Sequence, residues 1–101
     1  MATIMRTVVE SPLYTAQLAA IEPDVRRTDI VHESFSYEVA SGAESFPTII
    51  GTPLRFLRTR ANLGGCPGLW VYFTIDDPSY CTLQIVLVAD ERVSVSIFRD
   101  D

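Results

Sequence analysis

The spacing of the apolar residues changes once along this 101-residue chain, close to Ser41 and Gly42. Before that point apolar residues recur every three to four positions, which is typical of amphipathic helices. After it they alternate, or run together in short β-branched and aromatic segments, which favours strands. Helices followed by closely spaced strands predict an α+β domain in which two helices pack on one face of an antiparallel sheet.

Two helices are predicted before the change of period. The first begins at Ser11-Pro12, because serine caps free amides and proline suits the first helical position. Pro23 interrupts it, and the second helix runs from about residue 24 to residue 40. We expect Gly42 to end the second helix in the left-handed conformation. Spacing of the apolar residues gives the buried positions of both helices: Tyr14, Leu18 and Ile21, then Thr28, Val31, Phe35 and Val39.

Strands are predicted at residues 6–10, 54–60, 69–75, 82–88 and 93–98. We predict that 54–60, 69–75 and 82–88 pair in order as an antiparallel meander, with 93–98 at an edge. Because side chains alternate along a strand, Phe56, Arg58 and Arg60 share one face of the first of these, and Leu57 and Thr59 lie on the other.

Length and composition predict one domain over residues 1–101. No apolar run approaches the roughly 18 residues that a membrane span needs, and the start lacks the pattern of a secretory signal, so we expect a cytoplasmic protein. Two cysteines, Cys66 and Cys81, are too few for a disulfide framework, and both are expected to be free. No Cys/His cluster has metal-ligand spacing, so neither a metal nor a cofactor is predicted.

Charge is distributed unevenly around a net value of −5. Residues 51–75 hold Arg55, Arg58 and Arg60 and no acidic residue, so this segment is the candidate for contacts with phosphates. The alternative is that these arginines are the solvated side of an exposed strand, where charges prevent aggregation.

The strand at 69–75 is rich in aromatic residues. Trp70 and Tyr72 lie on one face and Val71 and Phe73 on the other, so one of these pairs points away from the helices. An outward aromatic pair can stack bases or seat a partner helix, or it can be covered by a loop of the chain or by a second copy in a homodimer. His32 is predicted at the surface or boundary of the second helix.

The order of elements resembles the RelE/ParE superfamily, the toxins of bacterial type II toxin–antitoxin pairs. The resemblance covers most of the chain and is carried by Val8-Val9-Glu10-Ser11-Pro12, by the arginines of 54–60, by 68–73 and by 83–88. It implies an N-terminal strand and an α-hairpin packed on an antiparallel β-meander. It also implies a toxin with a cognate antitoxin, acting as a ribosome-dependent mRNA endonuclease.

The resemblance implies site residues in two groups. Those implied to be catalytic are Arg58, Arg60, Tyr72 and Arg92, and those implied to bind RNA are Arg55, Arg58 and Arg60. A physical reason supports the arginine pair: guanidinium groups at i and i+2, roughly 7 Å apart, can hold one phosphate and stabilise the charge that cleavage develops.

The sequence departs from the family pattern at two positions. Leu69 stands where the family carries an arginine, and Phe98 falls near a tyrosine that serves in proton transfer. Three interpretations stay open: an mRNA endonuclease, a non-catalytic member that binds an antitoxin or a gyrase-like target, and a small α+β protein of unrelated role.

Overall fold

The computed structural model describes residues 5–89, which contain two helices and four strands. In chain order these are β1 (Thr7–Glu10), α1 (Pro12–Ile21), α2 (Val25–Gly42), β2 (Arg55–Arg58), β3 (Leu69–Asp77) and β4 (Tyr80–Val88). The predicted α+β class is confirmed. In the part of the chain described, neither helix has the length and apolar character that crossing a membrane requires.

The four strands form one mixed sheet in the order β1-β4-β3-β2. β2 pairs with β3 and β3 with β4, both antiparallel, so the predicted meander is confirmed. β1 pairs with β4 in parallel, with Thr7 opposite Tyr80 and Glu10 opposite Leu83. The sheet is therefore not wholly antiparallel as we predicted, because the long stretch of chain between β1 and β4 supplies the crossover that a parallel pair needs.

Both helices begin at a residue whose side chain caps the helix. The Ser11 hydroxyl accepts a hydrogen bond from the backbone amide of Tyr14 at 3.1 Å, and the Asp24 carboxylate accepts one from the amide of Arg26 at 3.0 Å. The Ser11 hydroxyl also donates to the carbonyl of Gln84 at 3.1 Å. Gln84 lies at a bulge in β4, and this bond therefore fixes the start of α1 to the sheet.

The core lies between the helices and one face of the sheet. The stripe predicted for α2 is buried at all four positions, and Tyr14 and Leu18 are buried on α1. The sheet contributes a matching set of buried residues: Leu57, Leu69, Val71, Phe73, Cys81, Leu83 and Val86. Burial of each large apolar side chain contributes about 1.5–3 kcal/mol, so this layer accounts for most of the favourable energy.

Three local predictions differ from the structure or fall outside it. Gly42 has φ −149°, so it is not left-handed; a short 3-10 turn, Ala43–Ser45, follows α2 directly. β2 spans Arg55–Arg58 and is shorter than predicted, since the chain turns at Asn62 with φ 67°. The predicted strand 93–98, with Arg92 and Phe98, lies outside the described residues.

The glycine-rich turn before β3 packs against α2. Gly64 has φ 60°, and a Cβ atom at this position would lie 2.9 Å from the backbone carbonyl oxygen of Arg27. Both its conformation and its close approach to the helix therefore require glycine.

Candidate functional site

The register of β2 and β3 places the predicted arginine strand beside the aromatic strand. Arg58 lies opposite Trp70, and Phe56 lies opposite Tyr72. Leu57, between them, is buried on the helix side. The predicted alternation of faces is therefore confirmed, and Phe56, Trp70 and Tyr72 form what we call the aromatic face, on the side of the sheet away from the helices.

Arg58 lies over one end of the aromatic face. Its guanidinium carbon is 5.6 Å from the centroid of the Trp70 ring, which is within range of a cation–π interaction. The Phe56 ring meets Trp70 edge-on at 5.8 Å and is tilted against Tyr72 at 6.5 Å. The contact with Trp70 restricts the orientation of the Arg58 side chain, and the guanidinium group stays positively charged.

Arg60 follows β2 and, together with Arg58, borders a cleft between α2 and the end of the strand. We call it the edge cleft; its volume is about 230 Å³. Its floor includes the buried Phe35 and Leu57. Its full lining is Ser34, Phe35, Glu38, Phe46, Leu57, Arg58, Thr59, Arg60 and Leu63.

Arg55 has a different environment from the other two arginines. Its guanidinium donates hydrogen bonds to the backbone carbonyls of Phe46 at 2.7 Å and Glu44 at 3.2 Å. These bonds attach the turn after α2 to the start of β2. Arg55 is therefore not part of the lining of the edge cleft, and its predicted contact with RNA stays a prediction.

Tyr72 lies beside Phe56 on the aromatic face and is only 5% exposed. Burial raises the pKa of its phenol above the ordinary tyrosine value. At neutral pH the phenol therefore keeps its proton. Arg92, the fourth residue predicted to be catalytic, lies outside the described residues.

Leu69 faces the helices and is 1% exposed. Its amide donates to the Thr59 hydroxyl at 2.9 Å, and its carbonyl accepts from the Thr59 amide at the same distance. An arginine at this position would therefore enter the core and would not reach the aromatic face. The departure at residue 69 is consistent with the fold of this chain.

Glu38 was not identified from the sequence, although it lines the edge cleft from α2. It lies three residues after the buried Phe35 on the exposed side of the helix. Helical spacing predicts that exposed position, but the neighbouring end of β2 is fixed only by the tertiary fold. This is why no local pattern associates Glu38 with the two arginines.

The Tyr14–His32 pair lies on the helix side of the sheet, away from the aromatic face. The Tyr14 hydroxyl is 3.0 Å from His32 Nε2, and the imidazole is half-buried between the rings of Tyr14 and Phe35. His32 is thus at the boundary of the helix layer, as predicted. Within residues 5–89, no group of His, Cys, Asp and Glu side chains is arranged to hold a metal ion.

The structure thus defines an α+β protein with an arginine-bordered cleft beside an aromatic sheet face. Comparisons of the chain with protein-family models, with curated proteins and with solved structures found no match.

Proposed function

We propose that this protein is an RNA-binding toxin of the RelE/ParE kind, and that Arg58 and Arg60 contact the phosphates of its target. One observation carries the proposal: Arg58, whose guanidinium lies over the Trp70 ring, borders the same cleft as Arg60. In this proposal the natural regulator is a cognate antitoxin in the cytoplasm, and ribosome-bound mRNA is the target.

The local charge supports contact with phosphates despite the acidic net charge. Residues 51–75 contain three arginines and no acidic residue, whereas the chain as a whole carries −5. Exposed charges are screened beyond about 8 Å at physiological ionic strength. A phosphate at the edge cleft therefore responds mainly to the charges that line it. These are Arg58 and Arg60, whose guanidinium groups are always charged and match phosphate geometry, and the single carboxylate of Glu38.

The proposal concerns binding rather than cleavage. Attack by a ribose 2′-hydroxyl needs a group that accepts its proton, and a guanidinium group, which is always protonated, does not accept one. Arg58 and Arg60 can stabilise negative charge whether or not a bond breaks. The catalytic roles predicted for Arg58, Arg60, Tyr72 and Arg92 stay predictions.

The direct test is binding of fluorescently labelled octauridylate, followed by fluorescence anisotropy between 50 and 200 mM salt. For two phosphate contacts on a single strand we expect log K to fall with log salt at a slope of about −1.4. Arg58→Ala combined with Arg60→Ala removes two charge-assisted contacts of roughly 1.5–3 kcal/mol each and should weaken binding at least about a hundredfold. The matched control is Arg26→Ala, since the Arg26 side chain is 91% exposed and lies outside the edge cleft.

Growth of bacteria that express the protein gives a second readout. Induction should slow growth, and the double arginine variant, but not Arg26→Ala, should relieve the effect. A wild-type protein that binds no octauridylate would contradict the proposal. Growth arrest that survives in the double variant would instead indicate a protein target.

A further inference from the structure

The edge cleft is lined by charged side chains of both signs. Glu38 on α2 and the arginines at the end of β2 line it together. No salt bridge joins Glu38 to Arg58 or Arg60, all three of which lie in the described part of the chain. Glu38 is exposed, and its carboxylate is available to a ligand that enters the cleft.

The floor of the edge cleft is apolar and small. Phe35 and Leu57 are buried beneath it, and Phe46 and Leu63 are half-buried at its sides. Its volume of about 230 Å³ is below the range of roughly 300–1,000 Å³ that drug-sized ligands occupy. A single flat ring system can therefore lie on this floor, with polar groups at its edges meeting the charged rim.

We propose that the edge cleft seats one base of the bound RNA and that Glu38 selects guanine at this position. The inference rests on the proposed function, since the phosphate next to that base would be the one that Arg58 and Arg60 contact. Proteins commonly recognise single-stranded RNA through the Watson–Crick edges of unstacked bases.

The selectivity follows from matching donors to acceptors. An ionised carboxylate has two oxygens that accept hydrogen bonds and none that donates. Guanine presents two adjacent donors, N1–H and the N2 amino group, on its Watson–Crick edge. Adenine and cytosine present one donor beside an acceptor, and uracil presents one donor between two acceptors. Glu38 can therefore make two hydrogen bonds to guanine and only one to each of the other bases.

The experiment compares octauridylate with octamers that carry one central guanosine, adenosine, cytidine or inosine. A bidentate contact discriminates against the wrong base by about 5- to 150-fold, and we expect the lower end at an exposed rim. Inosine lacks only the N2 amino group of guanosine and keeps one of its two donors, so its affinity should fall close to that of the bases that offer Glu38 a single hydrogen bond.

Glu38→Gln should abolish the preference for guanosine, because an amide offers one acceptor and one donor. Glu33→Gln is the matched control: it removes the same charge from the exposed side of α2 but lies outside the cleft. Loss of either carboxylate can raise affinity for every RNA, so the readout is the ratio of guanosine to uridine affinity. Circular dichroism should show that both variants fold, since neither glutamate contributes to the core.

Two results would overturn the inference while the proposed function stands. One is arginine-dependent binding with equal affinity for all four bases, and the other is a guanosine preference that persists in Glu38→Gln. If octauridylate does not bind the wild-type protein, the proposed function fails, and this inference fails with it.

Discussion

Tyr14 illustrates how one side chain links the two helices of this protein. It is 0% exposed, and its hydroxyl meets His32 Nε2 on α2 at 3.0 Å. A buried phenol hydroxyl without a hydrogen-bond partner destabilises the fold. The half-buried His32 supplies that partner, which the apolar residues around Tyr14 cannot do.

Tyr14→Phe keeps the ring and removes only this hydrogen bond. We expect a loss of about 1 kcal/mol in the free energy of unfolding at pH 7, measured by urea denaturation. The control is Tyr37→Phe on the same helix layer, where the side chain is 70% exposed, and no change is expected. Equal stability of the two variants would show that the Tyr14–His32 bond contributes nothing.

The same residue should make stability depend on pH in the alkaline range. Burial, helped by the negative charge of Glu10, raises the pKa of Tyr14, so the folded chain retains a proton that the unfolded chain loses above roughly pH 10. The stability that this group contributes is present below pH 10 and falls as the pH rises. Between pH 8 and pH 11 the wild type should lose about 1.4 kcal/mol more than Tyr14→Phe in urea titrations. A parallel pH dependence of the two proteins would contradict this expectation.

Among the elements, the glycine turn before β3 lies so close to α2 that a side chain at Gly64 would overlap the backbone of Arg27. It attaches the middle of the chain to the start of α2, where the Gly64 backbone passes the carbonyl of Arg27. Because β2 and β3 flank this turn, its position also determines where Arg58 and Arg60 lie relative to α2.

Gly64→Ala should lower the free energy of unfolding by roughly 2–4 kcal/mol. The alanine would have to adopt the left-handed conformation, and its Cβ atom would overlap the carbonyl oxygen of Arg27. Gly51→Ala is the control, because Gly51 also has a positive φ of 82° but no atom lies within 4 Å of its Cβ position. Its cost should be about 1 kcal/mol. Thermal unfolding of both variants measures the difference, and equal costs would mean that the contact with α2 is unimportant.

The elements that could be predicted from the sequence are those that nearby residues determine. The α2 stripe and the alternation of Trp70 and Val71 follow from the period of the sequence, and the structure confirms them. The parallel partner of β1 could not be predicted, since it depends on contacts between the two ends of the fold. The hydrogen bonds of Arg55 to two loop carbonyls, and the placement of Glu38, likewise depend on how distant segments fold back.

At the scale of the whole molecule, the reactivity of the two cysteine thiols shows whether the core is folded. Cys66, in the glycine turn, is 1% exposed, and Cys81, in β4, is 0% exposed; both thiols are free. Burial raises the pKa of each thiol, so little thiolate forms at neutral pH in the folded state.

Both thiols should therefore be unreactive toward Ellman's reagent in the native protein and reactive once it is unfolded in urea. Intermediate urea concentrations should expose both at the same rate if the domain opens as one unit. Mass spectrometry after alkylation in urea, without reductant, should find two modified cysteines. A Cys66–Cys81 disulfide, or rapid labelling of one thiol in the native state, would refute this description.

The parallel pairing of β1 with β4 also has a consequence for the order of events during translation. Ser11, which caps α1, finds its carbonyl partner at Gln84, 73 residues later in the chain. At roughly 5–20 residues per second, a nascent chain spends about 4–15 s with its first strand made and the partner strand not yet synthesised. The hairpin β2–β3 can form in this interval from local contacts, whereas closure of the sheet by β1 must wait until β4 has been made. The mixed sheet is therefore completed only after β4, the last of its four strands to be synthesised, becomes available.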